Sequence, residues 1–338
     1  MPIDILPFQD DMILDAAALL AQRHQRDRAV LPELPPRFSD PDTARAAVET
    51  TWRRARASGV AAVQGGRLLG YLIGDTVIEP TWGRSGWVRP AGCALAPDQD
   101  AELVRDLYAA LGARWVDYGC FAHFTVIPIA DPALVHTWFA LSFGVEQVHG
   151  LLDLESLDRD APDIPAGIAI RRAGPADRAT LADLSDIIWR HQTQAPVWGI
   201  HLPKSEAETR EGWAELVDDP TVVVWLAFVG DQAVGSQGYW PIEAAADALL
   251  IPEGCARMSV AGTRESARGR GIATALTRHG LAQARASGYR YCETDWRSTN
   301  LLAARFWPRQ GFRPLAYRLV RRIDPRIAWA NGQVGAGV

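Results

Sequence analysis

Short apolar runs interrupted by glycine set the rhythm of this chain, and the clearest lie in its second half. Val222–Phe228 and Ala233–Tyr239 flank Gly230 and read as two strands joined by a tight turn. Arg257–Thr263 follows as a strand, Ile272–Ala286 as a helix closed near Gly288, and Tyr289–Asp295 as a further strand. Leu301–Gln310 reads as a helix and Phe312–Arg321 as the last strand. Ahead of the hairpin, Ile168–Arg172 predicts a strand, and Pro175–Arg190 a helix that opens on proline. Strands alternating with helices in this way predict an α/β fold, a mixed sheet flanked by helices.

The first half repeats the pattern. "VQGGRLLGYLIG", with Gly65 and Gly70, aligns with "FVGDQAVGSQGY", with Gly230 and Gly235. "DPALVHTWFALSFG", from Asp131 to Gly144, aligns without a gap with "NLLAARFWPRQGFR", from Asn300 to Arg313. Trp138 then falls on Trp307, and Phe143 on Phe312. Two matches in the same order predict two copies of one fold, over residues 1–156 and 168–324. Between them "LDRDAPDIPAG", residues 157–167, is rich in Asp and Pro and reads as a linker. The Gly-rich tail, 325–338, is expected to be loose.

Composition narrows the partners. Of 338 residues, 48% are hydrophobic and 22% charged, as in a globular protein, and the net charge is -5. That balance offers no electrostatic case for binding nucleic acid or an anionic membrane. No apolar run approaches the ~20 residues of a membrane span, and "MPIDILPFQDDM" has no basic n-region of a secretory signal. A soluble, cytoplasmic protein is expected. The four cysteines, Cys93, Cys120, Cys255 and Cys292, have neither zinc nor disulfide spacing and read as small buried apolar residues. No metal is expected.

The candidate chemistry lies in "AGTRESARGRGIATAL", Ala261–Leu276, between a strand and a helix. Gly269 and Gly271 let the backbone turn sharply and bring N–H groups close to a ligand. The first turn of the helix, from Ile272 and Ala273, adds unpaired N–H groups and the positive end of a dipole. With Arg264, Arg268 and Arg270 around it, this is a cradle suited to a diphosphate. The spacing matches neither GxxxxGK[ST] nor GxGxxG. Coenzyme A has a diphosphate and a pantetheine arm with two amides, which the strand edge at Ala261, Gly262 and Thr263 could bind like an added strand. Asn300, just past the neighbouring strand, could bond that arm or hold the two strands apart.

These residues resemble the GCN5-related N-acetyltransferase (GNAT) family. Its acetyl-coenzyme A loop, Arg/Gln-x-x-Gly-x-Gly/Ala, is matched by Arg268, Gly271 and Ala273, and "AGTR" resembles its fourth strand. Asn300, Ala303, Phe306, Gly311 and Phe312 match the family's Asn, Ala, aromatic and Gly-Phe pattern after the fifth strand. The resemblance covers Ile168 to Asp324, and the paired halves resemble tandem members such as mycothiol synthase. It implies two tandem GNAT-type domains with mostly antiparallel sheets. It also implies acetyl-coenzyme A as co-substrate, and an N-acetyltransferase acting on a small-molecule or peptide amine in the second domain. A coenzyme A-binding protein without turnover, and an acyltransferase with another acyl chain or acceptor, are the alternatives.

The pattern also departs from the family. Trp307 stands where many members have a tyrosine general acid, and an indole cannot give up a proton at useful pH. Water, Tyr239 or Tyr317 remain to protonate the departing thiolate. Glu293 and Asp295, two apart on one strand, share a face and are the candidate bases, though a solvated face or pairing with arginine explains them as well. Trp189, His191, Trp198 and His201 could line a pocket for an apolar or aromatic amine, but each by itself reads as core or lid packing, and neither histidine as a metal ligand. In the first half, the corresponding loop from Cys93 to Leu111 contains no glycine and places Asp98, Asp100 and Glu102 where the second half has arginines. Asp131 replaces Asn300. The first half is therefore expected not to bind coenzyme A, but to support the fold and to offer one wall of the substrate site.

Overall fold

The computed structural model of the chain describes residues 2–158, 164–242 and 245–330. It divides into two compact units: Met1–Val148 with Ala244–Ile251 and Leu315–Val338, and His149–Glu243 with Pro252–Pro314. These units differ from consecutive domains over 1–156 and 168–324. The final strand of the second half belongs to the first unit, and the end of the first half to the second. An apolar pattern sets which face of a strand is buried but not which strand it pairs with, so local sequence cannot reveal such an exchange.

In the first unit the elements are β1 (Asp4–Pro7), α1 (Ile13–Val30), α2 (Pro41–Trp52), β2 (Ala57–Gln64), β3 (Arg67–Glu79) and β4 (Gly83–Leu95). They continue as α3 (Leu103–Asp117), β5 (Ala122–Pro128), α4 (Pro132–Ala140) and the start of β6 (Gly144–Asp153). The sheet order is β1-β2-β3-β4-β5, antiparallel except for the parallel pair β4–β5. The last strand of the chain, Arg313–Arg322, completes it by pairing antiparallel with β5 from Ala316 to Arg322. Helices α1 and α2 cover one face around Leu20, Phe38 and Tyr71, and α3 and α4 the other around Leu72, Leu107 and Trp138.

The second unit takes the end of β6 and then β7 (Ile168–Arg172), α5 (Arg178–Leu184), α6 (Asp186–Gln192), α7 (Pro203–Glu215), β8 (Val223–Val229) and β9 (Gln232–Pro241). After these come β10 (Cys255–Thr263), α8 (Ile272–Ala286), β11 (Tyr291–Arg297) and α9 (Leu301–Arg309), before β12 (Arg313–Arg322). The order is β6-β11-β10-β9-β8-β7. Leu181, Leu184 and Trp213 of α5 and α7 pack on one face with Val224 and Leu226, while Ile272 and Leu276 of α8 pack on the other with Ala227 and Val234.

Two local expectations change. The helix expected over Pro175–Arg190 breaks at Ser185, whose hydroxyl donates to the Ala182 carbonyl at 2.7 Å and so competes with the helical ladder. The tail carries a short helix, α10 (Ile327–Ala330); residues 331–338, and 159–163 of the linker, lie outside the described residues. The four cysteines are buried and unpaired, as small apolar residues would be. Among the described residues no helix is long and apolar enough to cross a membrane.

Candidate functional site

The site begins where two strands part. β10 and β11 pair in parallel only over Cys255–Arg257 against Tyr291–Glu293, although β10 runs on to Thr263 and β11 to Arg297. On its other edge β10 stays paired with β9, but the register jumps from Ser259 opposite Gly238 to Gly262 opposite Ser236. Val260 sits in this bulge with φ 47, and the Val260 carbonyl accepts the Ser236 hydroxyl at 3.0 Å. The hydroxyl of Thr294 donates to the Met258 carbonyl at 3.1 Å, where the strands begin to separate. Ala261, Gly262 and Thr263 thus follow the bulge on the stretch of β10 that β11 has left.

The strand leads into the glycine loop. Gly269 and Gly271 have φ of 76 and 77, backbone that a residue with a Cβ adopts only under strain. The first α8 hydrogen bond onto Gly271 comes from the Ala275 N–H at 2.9 Å, so the N–H groups of Ile272, Ala273 and Thr274 have no partner within the helix. Arg268 and Arg270 are exposed beside this terminus. Arg264 is not available in the same way: it pairs with Asp183 of α5 and anchors the end of β10. A cavity of about 260 Å³ lies alongside, lined by Arg190 and His191 of α6, by Gln194 just past its end, and by Arg264, Ser266 and Arg268.

Asn300 stands at the start of α9, beyond the end of β11. Its side-chain Oδ1 accepts the Ala303 N–H at 3.2 Å, capping α9, and lies 3.1 Å from His191 Nε2. In the first unit Asp131 caps α4 in the same manner, accepting from Ala133 and Leu134 at 2.9 and 3.1 Å. There the corresponding part of β4 is occupied from within. The Arg23 guanidinium donates to the carbonyls of Pro90, at 2.8 Å, and Cys93, and its Nε lies 3.3 Å from Asp27. Asp98 is held by Arg67 through two bonds of 2.9 Å, and Asp100 caps the Glu102 N–H at 2.9 Å.

Residues 182–312, from α5 through the glycine loop to the Gly-Phe after α9, match the model of the acetyltransferase (GNAT) family. This stretch is a GNAT-family acetyltransferase domain. The chain as a whole shares its fold with a GCN5-related N-acetyltransferase from Sphaerobacter thermophilus. Identity is 18%, 96% of each chain is covered, and the TM-score is 0.58. A tandem GNAT protein from the clavulanic acid biosynthesis pathway is similar over 95% of this chain and 98% of its own, at 14% identity and TM-score 0.54. A GCN5-related glucosamine N-acetyltransferase region of a fungal multi-domain β-N-acetylglucosaminidase covers 94% of this chain and 38% of that one, at 17% identity and TM-score 0.56. No curated protein matches the chain in sequence. The fold is that of two GNAT-type domains.

Within the GNAT domain the candidate catalytic groups separate. Glu293 is partly buried and ion-paired with Arg257; desolvation raises its carboxyl above the usual range, and Arg257 offsets this only in part. Asp295, on the same strand face, is exposed. Trp307 is buried, edge-to-face with Phe306 at 4.8 Å and Phe312 at 5.6 Å. Tyr239 is no candidate acid: its hydroxyl, buried against Gly280 of α8, donates to Gln237 Oε1 at 2.9 Å, and desolvation drives its pKa far up. Tyr317 lies on β12, in the first unit. Trp189 stacks on His201 at 4.0 Å, whereas Trp198 is 73% exposed. His191, which reads as packing from the sequence, is the residue that sequence reasoning misses. It meets Asn300 across 109 residues of chain, with no spacing signal to connect them.

Proposed function

We propose that the chain is an acetyl-coenzyme A-dependent N-acetyltransferase whose second unit binds the co-substrate and carries the reaction. One observation carries this reading: β10 leaves β11 after Arg257 and runs directly into the left-handed Gly269 and Gly271 and the open first turn of α8. The diphosphate of coenzyme A suits the N–H groups of Gly271, Ile272 and Ala273, with Arg268 and Arg270 beside them. The pantetheine amides suit the backbone of Ala261, Gly262 and Thr263. Asn300, Ala303 and Phe306, at the start of α9, are assigned to the same co-substrate.

The acceptor is a small-molecule or peptide amine. Its neutral nitrogen attacks the thioester carbonyl, the C–N bond forms, the C–S bond breaks, and a backbone N–H of β10 stabilises the oxyanion. Glu293 is the better base of the two carboxylates, since burial raises its proton affinity toward that of a useful base. With Trp307 unable to donate a proton, the thiolate leaves unassisted, which its ordinary pKa of about 8.5 tolerates. The first unit, with Arg23 along β4 and Asp98 and Asp100 at its loop, supports the fold without a co-substrate of its own.

Calorimetric titration with acetyl-coenzyme A tests this. The expected result is one site per chain, lost in Gly271→Glu. Two sites would give the first unit a binding role, and no binding would end the acetyltransferase reading. Turnover with a panel of amines then separates an enzyme from a binding protein.

A further inference from the structure

His191 lines the cavity and meets Asn300, and the atoms involved fix which way the Asn300 amide faces. Asn300 Oδ1 accepts the Ala303 backbone N–H, so the atom at that position is the oxygen and not the nitrogen. An oxygen cannot donate, so His191 Nε2, 3.1 Å away, must carry the hydrogen. With both lone pairs of Oδ1 engaged, Asn300 has only its Nδ2–H₂ donors to offer a ligand. Without His191, the same side chain would keep an acceptor lone pair facing the cleft. A pantetheine arm presents two amide carbonyls, which need donors.

We infer that His191 is a positioning residue: its Nε2–H locks the Asn300 carboxamide so that Nδ2 donates to an amide carbonyl of the pantetheine arm. This rests on the coenzyme A reading above. His191 lines the cavity together with Arg264, Ser266 and Arg268, on the stretch of chain that joins β10 to the glycine loop. The arm would pass there on its way from the diphosphate cradle along β10. The interaction is independent of the charge on His191, because Nε2 bears a hydrogen in both the imidazolium and this tautomer of the neutral ring.

The test compares acetyl-coenzyme A with adenosine 3′-phosphate 5′-diphosphate, the nucleotide end without the arm, by calorimetry on the full chain. In His191→Leu, affinity for acetyl-coenzyme A should fall about tenfold, the worth of one oriented hydrogen bond, while affinity for the nucleotide stays within twofold of wild type. His191→Gln, whose amide can still donate to Oδ1, should recover most of the loss. An equal loss for both ligands would reduce His191 to general packing and overturn the inference. Tighter or unchanged binding of acetyl-coenzyme A would overturn it too, making the contact a latch or an irrelevance. Failure of the wild-type chain to bind the nucleotide as well would remove the cofactor reading itself; binding of the nucleotide alone would remove only the arm.

Discussion

Asn300 Oδ1 holds two elements at once, the first turn of α9 through Ala303 and α6 through His191 Nε2 at 3.1 Å. The two functions can be separated by substitution. Asn300→Asp keeps an acceptor for the Ala303 N–H but removes the Nδ2 donors, so the helix cap should survive while acetyl-coenzyme A binding weakens. Asn300→Ala loses the cap as well and should cost about 1 kcal/mol in urea denaturation. Equal binding by wild type and Asn300→Asp would show that the amide donors contribute nothing.

The glycine loop offers a test of strain without collision. A Cβ at Gly269 would meet no atom within 4 Å, yet its φ is 76. Gly269→Ala should therefore destabilise by about 1 kcal/mol through backbone strain alone, and Gly269→Asn by less, since Asn tolerates the left-handed region. Thermal unfolding of the two variants checks the order.

Three arginines near the cradle should fall into two classes. Arg268→Ala and Arg270→Ala remove exposed charges and should weaken acetyl-coenzyme A binding, with the deficit shrinking as salt is raised. Arg264→Ala breaks the pair with Asp183 and should lower the melting temperature first. Titrations at 0.05 and 0.5 M salt would read the difference.

In the first unit, Arg23 and Asp27 are both buried, and burial raises the Asp27 carboxyl. Arg23→Met strands that carboxylate and the carbonyls of Pro90 and Cys93, for a loss of about 3–5 kcal/mol. Arg23→Met with Asp27→Leu should regain part of it. A double variant as unstable as the single would place the whole cost in the two carbonyls.

His24 and His123 each make stability depend on pH. Both are buried, and desolvation pulls each down to about 4. His123 Nδ1 takes the Tyr108 hydroxyl at 2.8 Å while Nε2 faces the Cys120 carbonyl at 3.0 Å, an arrangement that holds for the neutral ring. The unfolded rings titrate near 6.5, so between about pH 6.5 and 4 the unfolded chain binds protons that the folded chain refuses. Stability from these sites is whole above about pH 6.5 and lost as pH falls toward 4, on the order of 3 kcal/mol for each ring. Proton NMR should find both imidazoles uncharged at pH 5.5; a ring titrating near 6.5 would remove its share.

Much of this protein was legible in the chain. The repeat between Asp131–Gly144 and Asn300–Arg313 appears as matching structure: both segments open on a side-chain cap and close on a tryptophan edge-to-face with a phenylalanine, Trp138 with Phe143 and Trp307 with Phe312. The helix Ile272–Ala286 and the two left-handed glycines ahead of it were also readable, because caps, turns and periodicity act over a few residues. Tertiary structure decided what depends on distant partners. It gave β12 to the first unit, tied Arg264 to Asp183 and Glu293 to Arg257, buried Tyr239 out of reach, and brought His191 to Asn300. Local backbone preference can specify an element and its faces, but pairing, burial and side-chain partnership arise only when segments far apart in sequence compete for the same space.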